Sequence, residues 1–133
     1  MPFLAHHRAP ADSIYLHGPR PTAEYEELAA SGAKWMGMGD AGISFRPPQN
    51  GTVPAGYVQG WIDKLTPAMA ALKQKGLLNK SYVYGFDEMP ELYNASVYEI
   101  FGGLKKKFPE LTTMAVLDWP TFPEDLPLDI WVR

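Results

Sequence analysis

Tyr82-Val83-Tyr84-Gly85-Phe86-Asp87-Glu88 places two adjacent carboxylates at the end of a short apolar run, with Pro90 close behind. Neighbouring residues leaving a strand point in different directions, so their carboxylates can separate by several ångströms and meet unlike surroundings. Such a pair can divide acid–base work, one group remaining ionised while the other delivers a proton. A purely structural role fits the same residues. Asp87 or Glu88 can satisfy the first amides of a helix near Pro90, where a negative charge also suits the helix dipole. The local pattern is compatible with both.

Other chemistries find less support. Gly37-Met38-Gly39-Asp40-Ala41-Gly42 has the G-x-G-x-x-G spacing of a dinucleotide loop. That loop works only if a helix begins inside it and offers its N-terminus to the pyrophosphate. Ile43-Ser44-Phe45-Arg46-Pro47-Pro48 cannot continue as a helix. His6, His7 and His17 have no second ligand at a metal-binding spacing, so no metal and no cofactor are expected. Serine forms no G-x-S-x-G elbow, and the chain has no cysteine to act as nucleophile or thiolate ligand.

The elements that must position Asp87 and Glu88 follow from periodicity and punctuation. Ile14 to His17 is a strand candidate, and Gly18-Pro19-Arg20-Pro21 a turn. Thr22 then caps a helix through Ala30, stopped by Gly32. Lys34 to Met38 is a second strand, followed by a Gly- and Pro-rich loop from Gly39 to Gly56. Tyr57, Trp61, Leu65, Met69 and Leu72 recur near helical spacing until Gly76, with Pro67 placed to kink or divide that helix. Ser81 to Phe86 is the third strand. Leu92 or Tyr93, Val97, Ile100, Phe101 and Leu104 mark the buried stripe of a further helix, whose basic end Lys105-Lys106-Lys107 suits the dipole. Thr112 to Leu117 and Leu128 to Val132 complete the strands.

Strands alternating with helices predict an α/β fold of parallel βα repeats. Asp129-Ile130-Trp131-Val132-Arg133 reads as a buried strand with no helix after it, with Trp131 leaning toward the core. The chain therefore reads as one domain over 1–133 forming part of a (β/α)8 TIM-type barrel of about 250 residues. A small doubly wound sheet is the alternative. In a barrel, Gly18 to Pro21, Gly39 to Gly56, Asp87 to Pro90 and Asp118 to Pro127 share the face on which active sites are built. These segments carry Asp40, Arg46, Asp118, Trp119 and Phe122, an acidic and aromatic set suited to gripping a polar ring with apolar faces.

With 133 residues, 46% of them hydrophobic, the chain can build one core and not two. A net charge of −3 with interspersed signs offers no basic face, so nucleic acid is not expected as a partner. No apolar stretch reaches the roughly 20 residues of a membrane span, and Met1 to Arg8 lacks the apolar centre of a signal peptide. Compartment is left open, although sequons at Asn50, Asn79 and Asn94 hint at a secretory or lysosomal origin.

Three blocks carry a family resemblance: Tyr82 to Glu88, Phe101-Gly102-Gly103-Leu104-Lys105-Lys106-Lys107-Phe108-Pro109, and Leu126-Pro127-Leu128-Asp129-Ile130-Trp131-Val132, with Met114 to Trp119 between the last two. Through them the stretch from Ser81 to Arg133 resembles the catalytic domain of glycoside hydrolase family 123. The stretch before it resembles that family only in general terms.

The resemblance implies a barrel enzyme that removes terminal β-linked N-acetylgalactosamine from glycans or glycolipids. Glu88 would be the acid/base that protonates the departing oxygen. Asp87 would orient and stabilise the substrate's own 2-acetamido group, whose carbonyl oxygen attacks the anomeric carbon, a route that needs no protein nucleophile. Trp119 and Trp131 would be candidates to stack on the sugar, with Asp118 bonding a hydroxyl. Whole family members have more barrel strands, so this chain would be a fragment whose open edge invites self-association or awaits a missing half-barrel.

Overall fold

The computed structural model describes residues 15–42 and 52–132. Within them run helix α1 (Thr22–Ala30), strand β1 (Met36–Asp40), helix α2 (Tyr57–Gln74), strand β2 (Ser81–Tyr84), helix α3 (Asn94–Lys107), and strands β3 (Thr112–Val116) and β4 (Ile130–Val132). Short 3-10 turns at Leu78–Lys80 and Glu91–Tyr93 lead into β2 and α3.

The four strands pair in parallel in the order β1-β2-β3-β4, so each strand's spatial neighbour is also its neighbour along the chain. The order does not reverse among the described strands. Helices α1 and α2 touch, as do α2 and α3. One apolar cluster joins Tyr25 and Leu28 of α1, Trp61, Leu65, Met69 and Leu72 of α2, and Val97, Ile100, Phe101 and Leu104 of α3 to Met36, Met38, Val83 and Ala115 of the strands. Strand alternation then puts Tyr82 and Tyr84 on the opposite face of the sheet. The fold is α/β with a parallel sheet.

Several boundaries shift for identifiable reasons. Strand β1 starts two residues later than expected, because the amides of Gly32 and Ala33 turn back to the Ala29 and Leu28 carbonyls and close α1 first. Pro67 neither divides nor ends α2, which is continuous over Tyr57–Gln74. Strand β2 stops at Tyr84, since Phe86 adopts a positive φ of 60° that no ladder accommodates. Leu92 lies outside α3 and is exposed, while Tyr93 is buried. Strand β3 ends at Val116, although Leu117 still bridges to Met89, and β4 begins at Ile130 because Asp129 is turned to side-chain bonding.

Tyr15 to His17 are not a strand, yet the Leu16 carbonyl accepts the Asp40 N–H at 2.7 Å beside β1. Ile14, His6, His7, Arg46, Asn50, Arg133 and the Pro-rich stretch after Gly42 lie outside the described residues. Trp131 does not join the core: it is 53% exposed. A buried parallel strand needs cover on both faces, and β4 lies at an edge of the described sheet, with Phe122 5.9 Å from the Trp131 ring. Among the described residues no helix is long and apolar enough to cross a membrane.

Candidate active site

Asp87 and Glu88 sit on a tight turn beyond the C-terminal end of β2. Phe86 at φ 60° and Glu88 at φ 50° flank Asp87, and neither is glycine. Left-handed backbone at a non-glycine residue costs on the order of 1–3 kcal/mol, so it persists only where the surroundings over-determine it. Here they do. The Gly85 N–H donates to the Met114 carbonyl at 3.0 Å, the Val116 N–H donates to the Phe86 carbonyl at 3.2 Å, and the Phe86 ring meets Phe101 edge-on at 5.4 Å in the core.

The backbone beyond β1 reinforces the same turn. Gly42 and Gly85 touch main chain to main chain: a Cβ on either would lie 2.7 Å from the other's Cα, and one on Gly42 would collide with the Phe86 amide. Tyr57 pins that crossing by donating its hydroxyl to the carbonyls of Ala41 at 2.9 Å and Gly42 at 3.1 Å, and burial raises its phenol above the usual tyrosine range. Gly42, the last glycine of the stretch that imitates a dinucleotide motif, therefore serves close packing. Gly39, at φ 130°, likewise leaves no room for a side chain beside Trp61.

Asp87 is half-buried and held on both oxygens. Tyr84 donates its hydroxyl to Oδ1 and Tyr15 donates to Oδ2, each at 2.7 Å, and the two rings meet edge-on at 5.9 Å. The hydrogen bond to Asp87, more than burial, raises the Tyr15 phenol above its ordinary range; burial first and Asp87 second raise Tyr84 further. Glu88 beside it is exposed. At Pro90 the following 3-10 turn has no side-chain cap, so Asp87 is committed to phenols rather than to helix amides.

Asp40, 4% exposed at the end of β1, accepts the Gly42 N–H on Oδ1 at 3.0 Å, and its charge adds to the raised Tyr15 and Tyr84. Beyond β3, Asp118 is exposed while Trp119 is 2% exposed, its indole N–H donating to the Met89 carbonyl at 3.0 Å and its ring stacked on Phe122 at 5.9 Å. Trp119 thus ties the loop after β3 to the turn that carries Asp87 and Glu88. The rings of Trp119, Phe122 and Trp131 form a continuous row. Among the described residues no cluster of acids and histidines has metal-binding geometry.

Sequence reasoning missed Tyr15 and Tyr84 as partners of Asp87. Tyr84 left a faint signal, since it stands three residues before Asp87 on the face that Val83 does not use. Tyr15, 72 residues away, left none. No protein-family model and no curated protein matches the chain.

Proposed function

We propose that this chain carries the chemistry of a retaining β-N-acetylgalactosaminidase acting by substrate assistance, on a sheet that forms part of a (β/α)8 barrel. The observation that carries the reading is the inequality of two adjacent carboxylates: Asp87 gripped by two phenols, Glu88 exposed beside it. The strand order without reversal, helices sharing one core, and the three sequence blocks from Tyr82 to Val132 support it.

In that mechanism Glu88 gives its proton to the departing glycosidic oxygen while the acetamido carbonyl oxygen bonds to the anomeric carbon. The resulting oxazolinium is cationic. Asp87, ionised and fixed in direction, accepts the amide N–H and lowers the energy of that cation. Water, giving a proton to Glu88, then adds to the anomeric carbon as that carbon's bond to the acetamido oxygen breaks, which restores the acetamido group and retains the configuration. In this reading the exposed Asp118, at the same end of the sheet, bonds a sugar hydroxyl and the exposed Trp131 offers an apolar ring face, while the buried Trp119 contributes through the loop it anchors.

The test is release of nitrophenolate from 4-nitrophenyl N-acetyl-β-galactosaminide. Wild type should turn over. Asp87→Asn should lose about 100-fold or more, the scale of removing one preorganised electrostatic group. Glu88→Gln should lose less, because nitrophenolate leaves with little acid help, and should fail on an unactivated glycoside. A folded wild type without turnover removes the enzyme reading.

The edge of the sheet favours a second reading. Trp131 and Val132 in β4 are both exposed, which suits a non-catalytic half-barrel that binds a glycan or a partner chain there. Self-association, or glycan binding that survives Glu88→Gln without hydrolysis, would select this reading.

A further inference from the structure

The two phenols on Asp87 are not equivalent. Tyr84 belongs to β2 and is fully buried, whereas Tyr15 precedes α1 and is 48% exposed. The backbone beside Tyr15 is anchored at the next residue, where the Leu16 carbonyl accepts the Asp40 N–H. The Tyr15 ring can therefore leave Asp87 by rotation about its own side-chain bonds, with the main chain in place. Tyr84 has no such freedom, because its side chain is fully buried.

We propose that Tyr84 is a positioning residue that holds Oδ1 of Asp87 throughout, and that Tyr15 is an exchangeable donor whose place at Oδ2 is taken by the amide N–H of a bound 2-acetamido sugar. The inference rests on the hydrolase reading, which supplies the amide. Both present donors are neutral hydroxyls, so exchanging one for a neutral amide N–H replaces one charge-assisted hydrogen bond by another. Oδ2 is then never left without a donor between binding events, and the carboxylate plane does not rotate while the partner changes. A fixed plane matters because misplacement by about 1 Å in such a group can cost on the order of 100-fold in rate. The raised Tyr15 phenol agrees with the bond that the sugar would break.

The experiment is a titration of the full chain, with its tyrosine ring carbons isotopically labelled, by N-acetylgalactosamine and by galactose, followed by NMR. Tyr15→Phe and Tyr84→Phe serve to assign the resonances and as binding variants. N-acetylgalactosamine should move the Tyr15 resonance strongly and the Tyr84 resonance little, and galactose should move neither. Tyr15→Phe should bind N-acetylgalactosamine about threefold to tenfold tighter, the factor that one net hydrogen bond represents. In the absence of sugar, Asp87→Asn should let Tyr15 ionise at lower pH, which reports the Tyr15–Asp87 bond itself. Sugar binding that leaves Tyr15 unmoved, moves Tyr84 as much, or weakens in Tyr15→Phe overturns the exchange while the hydrolase reading stands. Absence of binding to wild type and to Tyr15→Phe overturns both.

Discussion

Asp87 and Asp129 are both carboxylates held by several donors, at opposite ends of the same sheet. Asp129 precedes β4 and takes the Lys105 ammonium at 2.6 Å, the Thr113 N–H at 2.8 Å and the Thr113 hydroxyl at 3.1 Å, all on Oδ2. Asp87, beyond the other end of β2, takes among the described residues two phenols, one on each oxygen. Burial alone would raise Asp129, but Lys105 and the Thr113 donors outweigh it and hold the carboxyl below the usual aspartate range. A cation cancels the charge of Asp129 and makes it a staple between α3, β3 and β4. Neutral donors aim Asp87 without cancelling its charge. The difference separates a carboxylate that holds the fold from the one to which the proposed function assigns the substrate.

Breaking the support beneath Asp87 gives the largest expected effect. Gly42→Ala should cost about 3 kcal/mol, the upper part of the overpacking range, because its Cβ meets backbone that cannot turn aside. Denaturant unfolding measures it, and a loss below about 1 kcal/mol would mean that the crossing can open.

Asp129→Asn should cost about 1–2 kcal/mol, reduced from a buried charged bond by the partial exposure of the pair, while leaving the Tyr15 ionisation unchanged. Because the folded pKa lies below the unfolded value of about 3.9, the wild type keeps this contribution above that pH and loses it as pH falls through the folded value. The variant's stability should be flatter there. An equal acid dependence in both proteins would detach Asp129 from the staple.

Tyr84→Phe should cost about 1 kcal/mol at neutral pH, since Asp87 retains Tyr15 and some water. The folded phenol sits above its unfolded value of about 10, so its contribution is complete below that pH and declines as pH rises toward the folded value. Thermal melts between about pH 9 and 11 should show a steeper decline in wild type than in Tyr84→Phe. Parallel curves would mean that Tyr84 does not bury its hydroxyl against Asp87.

What the sequence disclosed and what it withheld divide along range. Helix α1 was legible in extent, although the cap expected of Thr22 falls at Pro21 with no side-chain bond and Thr22 is the first helical residue. Helix α2 was legible from the Trp61, Leu65, Met69 and Leu72 stripe, because those signals lie within a few turns of one another. The parallel sheet followed from the alternation of elements. The positive φ angles of Phe86 and Glu88 were not legible, since no glycine advertises them and their support comes from distant residues: Gly42 packed on Gly85, the hydrogen bonds to β3, and the Phe86 ring against Phe101. Trp131 was misjudged because an apolar run resembles a buried strand whether or not anything covers it. Asp87 and Glu88 stood out by type and spacing, whereas the tyrosines that orient Asp87 depended on contacts across the fold.

The Gly42 and Gly85 crossing also bears on the order of events during folding. These residues are 43 positions apart in sequence, and the turn at Phe86 to Glu88 gains its full support only when they meet. Helices α2 and α3 can form from local contacts, but parallel pairing of β1 with β2 must wait for the intervening chain to close. The carboxylate pair therefore acquires its geometry late, with the native sheet, and partly folded chains with helices formed would hold Asp87 and Glu88 in an ordinary, undirected loop.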